Sequence, residues 1–355
     1  MNKNNLYVDF HVLQTVPPSN VNRDDMGSPK TAVYGGATRA RVSSQSWKRA
    51  MRVAFRDIFP QEQLGERTKR IVEKVREKIQ ETDAQVDASK LATEALKNAG
   101  LKIKSEDKGT DALFFMSSSQ AAALAKLAVS GEKDVKQYKE ALKEIPSVDM
   151  ALFGRMVADD PSLNYDAAAQ VAHCISTHSV QNEFDYFTAV DDRGAEDNAG
   201  AGHLGTVEYN SSTLYRYATL NIRELEKTIK EETPAVVRGF AEAFICSMPT
   251  GKQNSFANRT VPALVYVTIR RDQPVNLVGA FEEPIRAKAG GYEAASEEEL
   301  VKYAKSCYEL FAEKPEKAFG ISRRNYLQEI APIVSLPNLL LQLEQAVAER
   351  LEEKG

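Results

Sequence analysis

From Leu6 to Leu13 the chain alternates strictly, and both phases carry apolar side chains. Leu6, Val8, Phe10 and Val12 make one set; Tyr7, Asp9, His11 and Leu13 make the other. Period-two patterning is the mark of a strand, and apolar character in both phases places that strand at the centre of a sheet. Pro17-Pro18 is expected to end it. The rest of the chain must therefore supply neighbouring strands and covering helices.

Those elements follow in a legible order. A polar loop, Ser19 to Lys30, leads through a glycine turn at Gly35-Gly36 into a helix that Pro60 stops. From Gln61 to Asn164 charged and Ala-rich amphipathic segments (64–80, 89–98, 119–130, 134–144) read as a helical insertion, with Ala112 to Met116 a short strand or buried turn. Asp166 to Ile175 is expected to be another Ala-rich helix. Two strands then return, around Val180–Thr188 and Val207–Ile222, joined by the long loop Asp191–Thr206. A helix capped by Thr233 with Pro234 in its first turn precedes a strand over Val261–Ile269. A capping box at Ser296-x-x-Glu299 and a C-terminal helix from Asn338 to Glu352 complete the chain. Strand, helix, two hairpin strands, helix, strand is the split βαβ order of a ferredoxin-like or RRM-like sheet, so the expected class is α+β with an inserted helical lobe and an extended hairpin.

The charge is unevenly spread. The chain holds 50 acids against 46 bases, yet Lys30 to Arg56 carries seven bases and no acid. In its helical half Trp47, Ala50, Met51, Ala54 and Ile58 form one apolar stripe, while Gln45, Lys48, Arg49, Arg52 and Arg56 repeat on the opposite face. Ser43 or Ser44 serves as N-cap. A helix start favours an anion, and Arg39, Arg41, Lys48, Arg49 and Arg52 beside it suit several phosphates along a strand. The plainer alternative is a solvated basic face paired with acids elsewhere. The net charge of −4 argues against a protein coated in nucleic acid and leaves room for one positive groove on an acidic body.

Other classes are excluded or weakened. There is no GxxxxGK[ST] phosphate loop. Cys174, Cys246 and Cys307 are far apart and odd in number, which fits a reducing cytoplasm. No secretory segment opens the chain and no run of about 18 apolar residues suggests a membrane span. Arg23-Asp24-Asp25 reads as a salt cluster ahead of a metal site or a phosphate contact. His203 among Asp191, Asp192, Glu196 and Asp197 is a single histidine on a glycine-rich loop, so no metal site is assigned. Thr250–Thr260, with Lys252, Gln253, Asn254, Phe256 and Arg259, suits an unstacked base and its phosphate, although taken alone the stretch reads first as a plain helix-to-strand loop.

Several blocks resemble one family. Asn22–Lys30 (NRDDMGSPK), Gly35–Arg52 (GGATRARVSSQSWKRAMR), Asp149–Met156 (DMALFGRM), Phe187–Ala218 (with FTAVDD, AGHLGT and LYRYA) and Gly251–Ala257 (GKQNSFA) are similar to the Cas-seven-type backbone subunits of type I-E CRISPR surveillance complexes, Cascade. The resemblance spans nearly the whole chain and is weak from Gln61 to Val148. It implies a hand: a modified RRM-like palm (1–60, 165–190 and 207–355), helical fingers (61–164) and a thumb hairpin with its tip at 191–206.

The resemblance also implies partners and roles. Copies of the chain would follow one another in a helical filament along a CRISPR RNA, beside other Cascade subunits, and would present the guide for pairing with a target DNA strand. Arg23, Lys30, Arg39, Arg41, Lys48, Arg49 and Arg52 would contact the guide, Ser43, Ser44 and Gln45 would hydrogen-bond it at the helix start, and Lys252, Gln253 and Asn254 would close the groove. Met156, Leu204 and Thr206 would wedge beside a displaced nucleotide. No catalytic residue, metal or cofactor is implied. Related type III subunits cut target RNA with an aspartate in the loop after the first strand, so Asp24 and Asp25 keep a metal-dependent nuclease as the alternative. A generic RNA-binding protein is the third class.

Overall fold

The computed structural model describes residues 4–83, 85–105, 108–157, 160–189 and 204–353. In chain order the strands and helices are β1 (Tyr7–Ser19), β2 (Thr31–Tyr34), β3 (Ala37–Val42), α1 (Ser44–Ile58), β4 (Gly65–Thr68), α2 (Ile71–Thr82), α3 (Ala88–Asn98), β5 (Ile103–Ser105), β6 (Gly109–Thr110), β7 (Phe114–Ser117), α4 (Ser118–Val129), α5 (Val135–Lys143), α6 (Val148–Phe153), β8 (Ala169–Val171), β9 (Cys174–Ser176), β10 (Glu183–Thr188) and β11 (Leu204–Asn221). Then come α7 (Ile222–Ile229), α8 (Thr233–Cys246), α9 (Gln253–Phe256), β12 (Leu264–Arg270), α10 (Glu293–Leu310), β13 (Lys317–Ser322) and α11 (Leu336–Glu352). Two compact units result: residues 1–51, 171–219 and 240–355 form one, and 52–170 with 220–239 the other.

The first unit is built on a sheet of order β13-β12-β1-β11-β9-β3-β2, with β10 paired to β11. The β1–β12 and β12–β13 pairs are antiparallel, as are β2–β3 and β3–β9. β1 is central, and both its faces are covered, which is why both phases of its sequence are apolar. Phe10 packs against Phe240 and Phe244 of α8, at 5.4 and 6.0 Å between ring centroids. Leu13, on the other phase, joins Tyr215, Leu264, Phe281, Leu300 and Val301. β1 runs on through Pro17-Pro18 to Ser19. Both prolines are exposed, and the β12 register ends at Leu13, so the missing amides interrupt nothing there.

The glycine turn is the tip of a hairpin. Gly35 and Gly36 take φ of +57° and +70° and join β2 to β3, the conformation that a two-residue type I′ turn requires. The expected helix at 166–175 is instead β8 and β9. Ile175 pairs with Tyr215 on one side and Arg41 on the other, so a slot between two strands overrides the helix propensity of alanine. Ser296 does not cap α10, which begins three residues earlier. The buried Ser296 hydroxyl lies 2.7 Å from the Tyr292 carbonyl, one turn back.

The second unit has its own core. Ile71, Val75 and Ile79 of α2 meet Ala92 and Leu96 of α3, Leu124 of α4, and Tyr138 and Leu142 of α5. A capping box of Ser117 and Gln120 starts α4. Arg155, 4% exposed, donates to the carbonyls of Phe115, Leu142 and Leu163, tying β7, α5 and the segment after α6 together. Burial lowers its pKa to about 10. The expected boundaries at 61 and 164 differ from these units, because the second unit takes the end of α1 and recruits α7.

Candidate nucleic-acid interface

The loop after β1 folds on itself. The Asp24 carboxylate accepts from the amides of Met26 (2.9 Å) and Ser28 (3.0 Å), and the Lys30 amide donates to the Asn22 carbonyl at 2.8 Å. Asn20, fully buried, donates to the carbonyls of Gly27 (2.9 Å) and Glu208 (3.0 Å), so the loop is pinned to β11. The Asn22 side chain accepts from the Ser43 amide at 2.9 Å and fastens the loop to the start of α1. This bracing leaves Arg23 exposed and Lys30 half-buried.

A small cleft lies beside it, lined among others by Ser19, Asn22, Lys30, Arg41, Asn210 and Ser212. Arg41 is held at its rim: its Nε donates to the Thr31 carbonyl at 3.1 Å and a terminal nitrogen lies 3.2 Å from His173 Nδ1. Burial, and then the charges of Arg41 and Lys30, push the His173 pKa down. The imidazole therefore stays neutral beside the two cations.

At the start of α1 the Ser43 hydroxyl accepts from the Ser46 amide at 3.3 Å, which makes Ser43 the cap. Ser43 is 7% exposed, so Ser44 and Gln45 are the more accessible side chains of this turn. Lys48 is half-buried and Arg49 exposed. The buried stripe is Trp47, Met51 and Phe55; Ala50, Ala54 and Ile58 are only half-buried. Trp47 is covered by Arg216, whose guanidinium sits 3.7 Å from its ring.

Two of the expected phosphate ligands are committed elsewhere. Arg39 is 0% exposed. Its guanidinium donates to the carbonyls of Ser176 (3.0 Å), Phe281 (2.9 Å) and Glu282 (3.2 Å). It lies on the same face of β3 as Arg41, but residues 281–282 cover it and leave Arg41 at the cleft. A phosphate cannot reach it, and its role is to fasten the β2–β3 hairpin. Arg52, in the other unit, pairs with Asp149 at 2.9 Å and donates to the Gly65 carbonyl at 3.2 Å; its side chain remains 26% exposed.

The Gly251–Ala257 loop reaches the same region of the first unit. A Cβ on Gly251 would lie 2.0 Å from the Val21 carbonyl oxygen and 2.9 Å from that of Asn20, so glycine alone lets this loop press against the one before it. Lys252 and Ala257 take left-handed conformations, φ +50° and +47°, on either side of α9. Lys252 and Gln253 are half-buried and Asn254 is exposed. Phe256 packs 6.0 Å from Tyr209, so the aromatic read as a stacking partner for a base is occupied within the fold.

The expected wedge residues are apart in the chain and in its units. Met156 is 87% exposed. Leu204 opens β11 opposite Thr188, and Thr206, exposed, faces Tyr186. Residues 190–203, including His203 and the acids near it, lie outside the described residues. Sequence reasoning passed over Asn20, Asn22, His173 and Asn210, whose polar side chains carry no periodicity to mark them. The strand expected around Val180–Thr188 is β10; what the sequence did not mark is that its aromatics stay outside the core, with Phe184 and Tyr186 66% and 70% exposed. No group of three or more potential metal ligands occurs among the described residues, and no described helix is long and apolar enough to cross a membrane.

A family model described as CT1975-like protein matches residues 8–345. A chain solved in a "CRISPR RNA-guided surveillance complex, pre-nicking" is 32% identical, with a TM-score of 0.83 over 96% of this chain and 100% of that one. A second, from a "CRISPR RNA-guided surveillance complex", is 30% identical, with a TM-score of 0.64 over 96% and 99%. No curated protein matches the chain.

Proposed function

The chain belongs to the CT1975-like family, and from that premise we propose that it is the guide-binding backbone subunit of a type I-E CRISPR surveillance complex, Cascade. In this reading the first unit is the RRM-like palm, copies assemble in a filament along a CRISPR RNA with other subunits, and the guide is presented to a target DNA strand for antiviral defence in the cytoplasm. The carrying observation is the cleft bearing Lys30 and Arg41, joined through Asn22 to the capped helix start. Among the described residues Arg23, Lys30, Arg49 and Lys252 enter no ion pair, so these cations are available to phosphates. Lysine and arginine on phosphates hold a strand without reading it, as guides of differing sequence require.

The reading has no catalytic step. One oxygen of the Asp24 carboxylate, Oδ1, braces its own turn by accepting from two amides. The test is reconstitution with CRISPR RNAs of unrelated spacers. Lys30→Ala with Arg49→Ala should weaken all guides alike and reduce the slope of log K against log salt by about 0.7 per phosphate lost. Weakening confined to one spacer would overturn the model. So would regular cutting of complementary RNA with a divalent metal that Asp24→Ala or Asp25→Ala abolishes.

A further inference from the structure

The second unit carries a cationic pair outside the cleft just described. Arg67 of β4 is exposed, and its guanidinium carbon lies 5.2 Å from the ring centroid of Phe115, its cross-strand partner on β7. Arg52 approaches the same ring at 4.6 Å. The two guanidinium carbons are therefore within about 10 Å of one another. Phe115 is 2% exposed, a fixed platform rather than a partner for a base.

Only one of these charges is compensated. Asp149 accepts from Arg52 Nε at 2.9 Å with one oxygen and from the Gly65 amide at 2.9 Å with the other. Among the described residues Arg67 enters no ion pair. Glycine at position 65 makes the cluster possible: a Cβ there would lie 2.6 Å from the Phe115 ring and 3.2 Å from the Asp149 carboxylate. Burial, and then repulsion from Arg52, push the Arg67 pKa down, with Asp149 acting the other way. Nearby acids are spent on other cations, Glu66 on Lys74 and Glu73 on Arg70. Lys69, exposed and two residues beyond Arg67, adds a second cation without an ion pair among the described residues, roughly 6–7 Å along an extended chain. An exposed arginine held over an aromatic plate offers a planar fork of donors, and such a fork matches a phosphate oxygen pair. Repeated cations suit a polyanion better than a single carboxylate.

We propose that Arg67, with Lys69, forms a second phosphodiester-binding point on the helical unit, taking the backbone of a nucleic-acid strand. This rests on the guide-subunit reading, and the strand is either the guide or the target DNA paired with it. The test compares wild-type, Arg67→Gln and Arg67→Lys complexes in two arms: guide RNA binding during assembly, and binding of a complementary DNA strand to the assembled complex, each across a salt series. Arg67→Gln should lower the salt slope by about 0.7 per contact in one arm, which identifies the strand. Arg67→Lys should restore the slope, which rescue of stability alone would not do. Equal slopes for wild type and Arg67→Gln in both arms overturn this proposal alone. A wild-type chain that binds no guide overturns the parent reading and this one with it.

Discussion

Arg39 and Arg41 offer a sharp contrast, because they lie two residues apart on one face of one strand and do different things. In Arg39→Leu the carbonyls of Ser176, Phe281 and Glu282 lose their donor. An unsatisfied buried carbonyl costs about 1–3 kcal/mol, and removing the buried charge itself returns part of that. A net loss of about 3 kcal/mol follows. For a unit of roughly 200 residues this is a fall in Tm of about 6–12 °C. The salt slope of guide binding, measured below the lowered Tm, should match wild type, since no phosphate reached the side chain. Arg41→Leu should do the reverse. It gives up two hydrogen bonds, to the Thr31 carbonyl and His173, at a half-exposed site where water replaces them, so Tm should fall by only about 2–4 °C, while the slope drops by about 0.7. Differential scanning calorimetry and a fluorescence-anisotropy salt series on both variants decide the matter. An Arg39→Leu protein with wild-type Tm and a reduced slope would refute the reasoning, because it would put Arg39 on the RNA.

Two further outcomes follow from single atoms. Gly251→Ala places a methyl 2.0 Å from the Val21 carbonyl, against backbone that cannot yield cheaply; the two loops must separate, so guide affinity should fall along with Tm, and an unchanged affinity would show that their contact is unimportant. Asp9 is buried, and desolvation raises its pKa to about 6 from 3.8 despite bonds from Val275, Thr219 and Tyr217. The folded state therefore holds a proton that the unfolded chain releases, so this group's stabilisation is present below about pH 4 and is lost as pH rises to about 6. The wild-type minus Asp9→Asn difference in unfolding free energy should fall across that window by up to about 3 kcal/mol, and a rise would contradict the assignment. His11, pushed down to about 3 by burial and then by Arg270, works the other way: its contribution is complete above its ordinary pKa and is lost as pH falls. The comparison must therefore be made between variants rather than on wild type alone.

Much of the fold was legible because its causes are local or periodic. Two-phase apolar alternation marked β1 as central, 3.6-residue stripes marked α1 to α5, and Ser43 and Pro60 bounded α1. The basic stretch before and within α1 was legible as a local excess of positive charge for the same reason, since the absence of acids is a property of the string. Tertiary structure decided the rest. Whether an arginine faces a ligand depends on what chain segment covers it, and residues 281–282, more than 240 positions away, close over Arg39 and leave Arg41 at the cleft. Ala-rich 166–175 became strands because β3 and β11 leave a slot for β9, a pairing that local propensity does not encode. Gly35 and Gly36 could have been read as a hairpin from their neighbours. That Gly251 lies against Val21, and that Gly65 makes room for Phe115 and Asp149, could not, since closeness in space is set by the sheet and not by the spacing of residues.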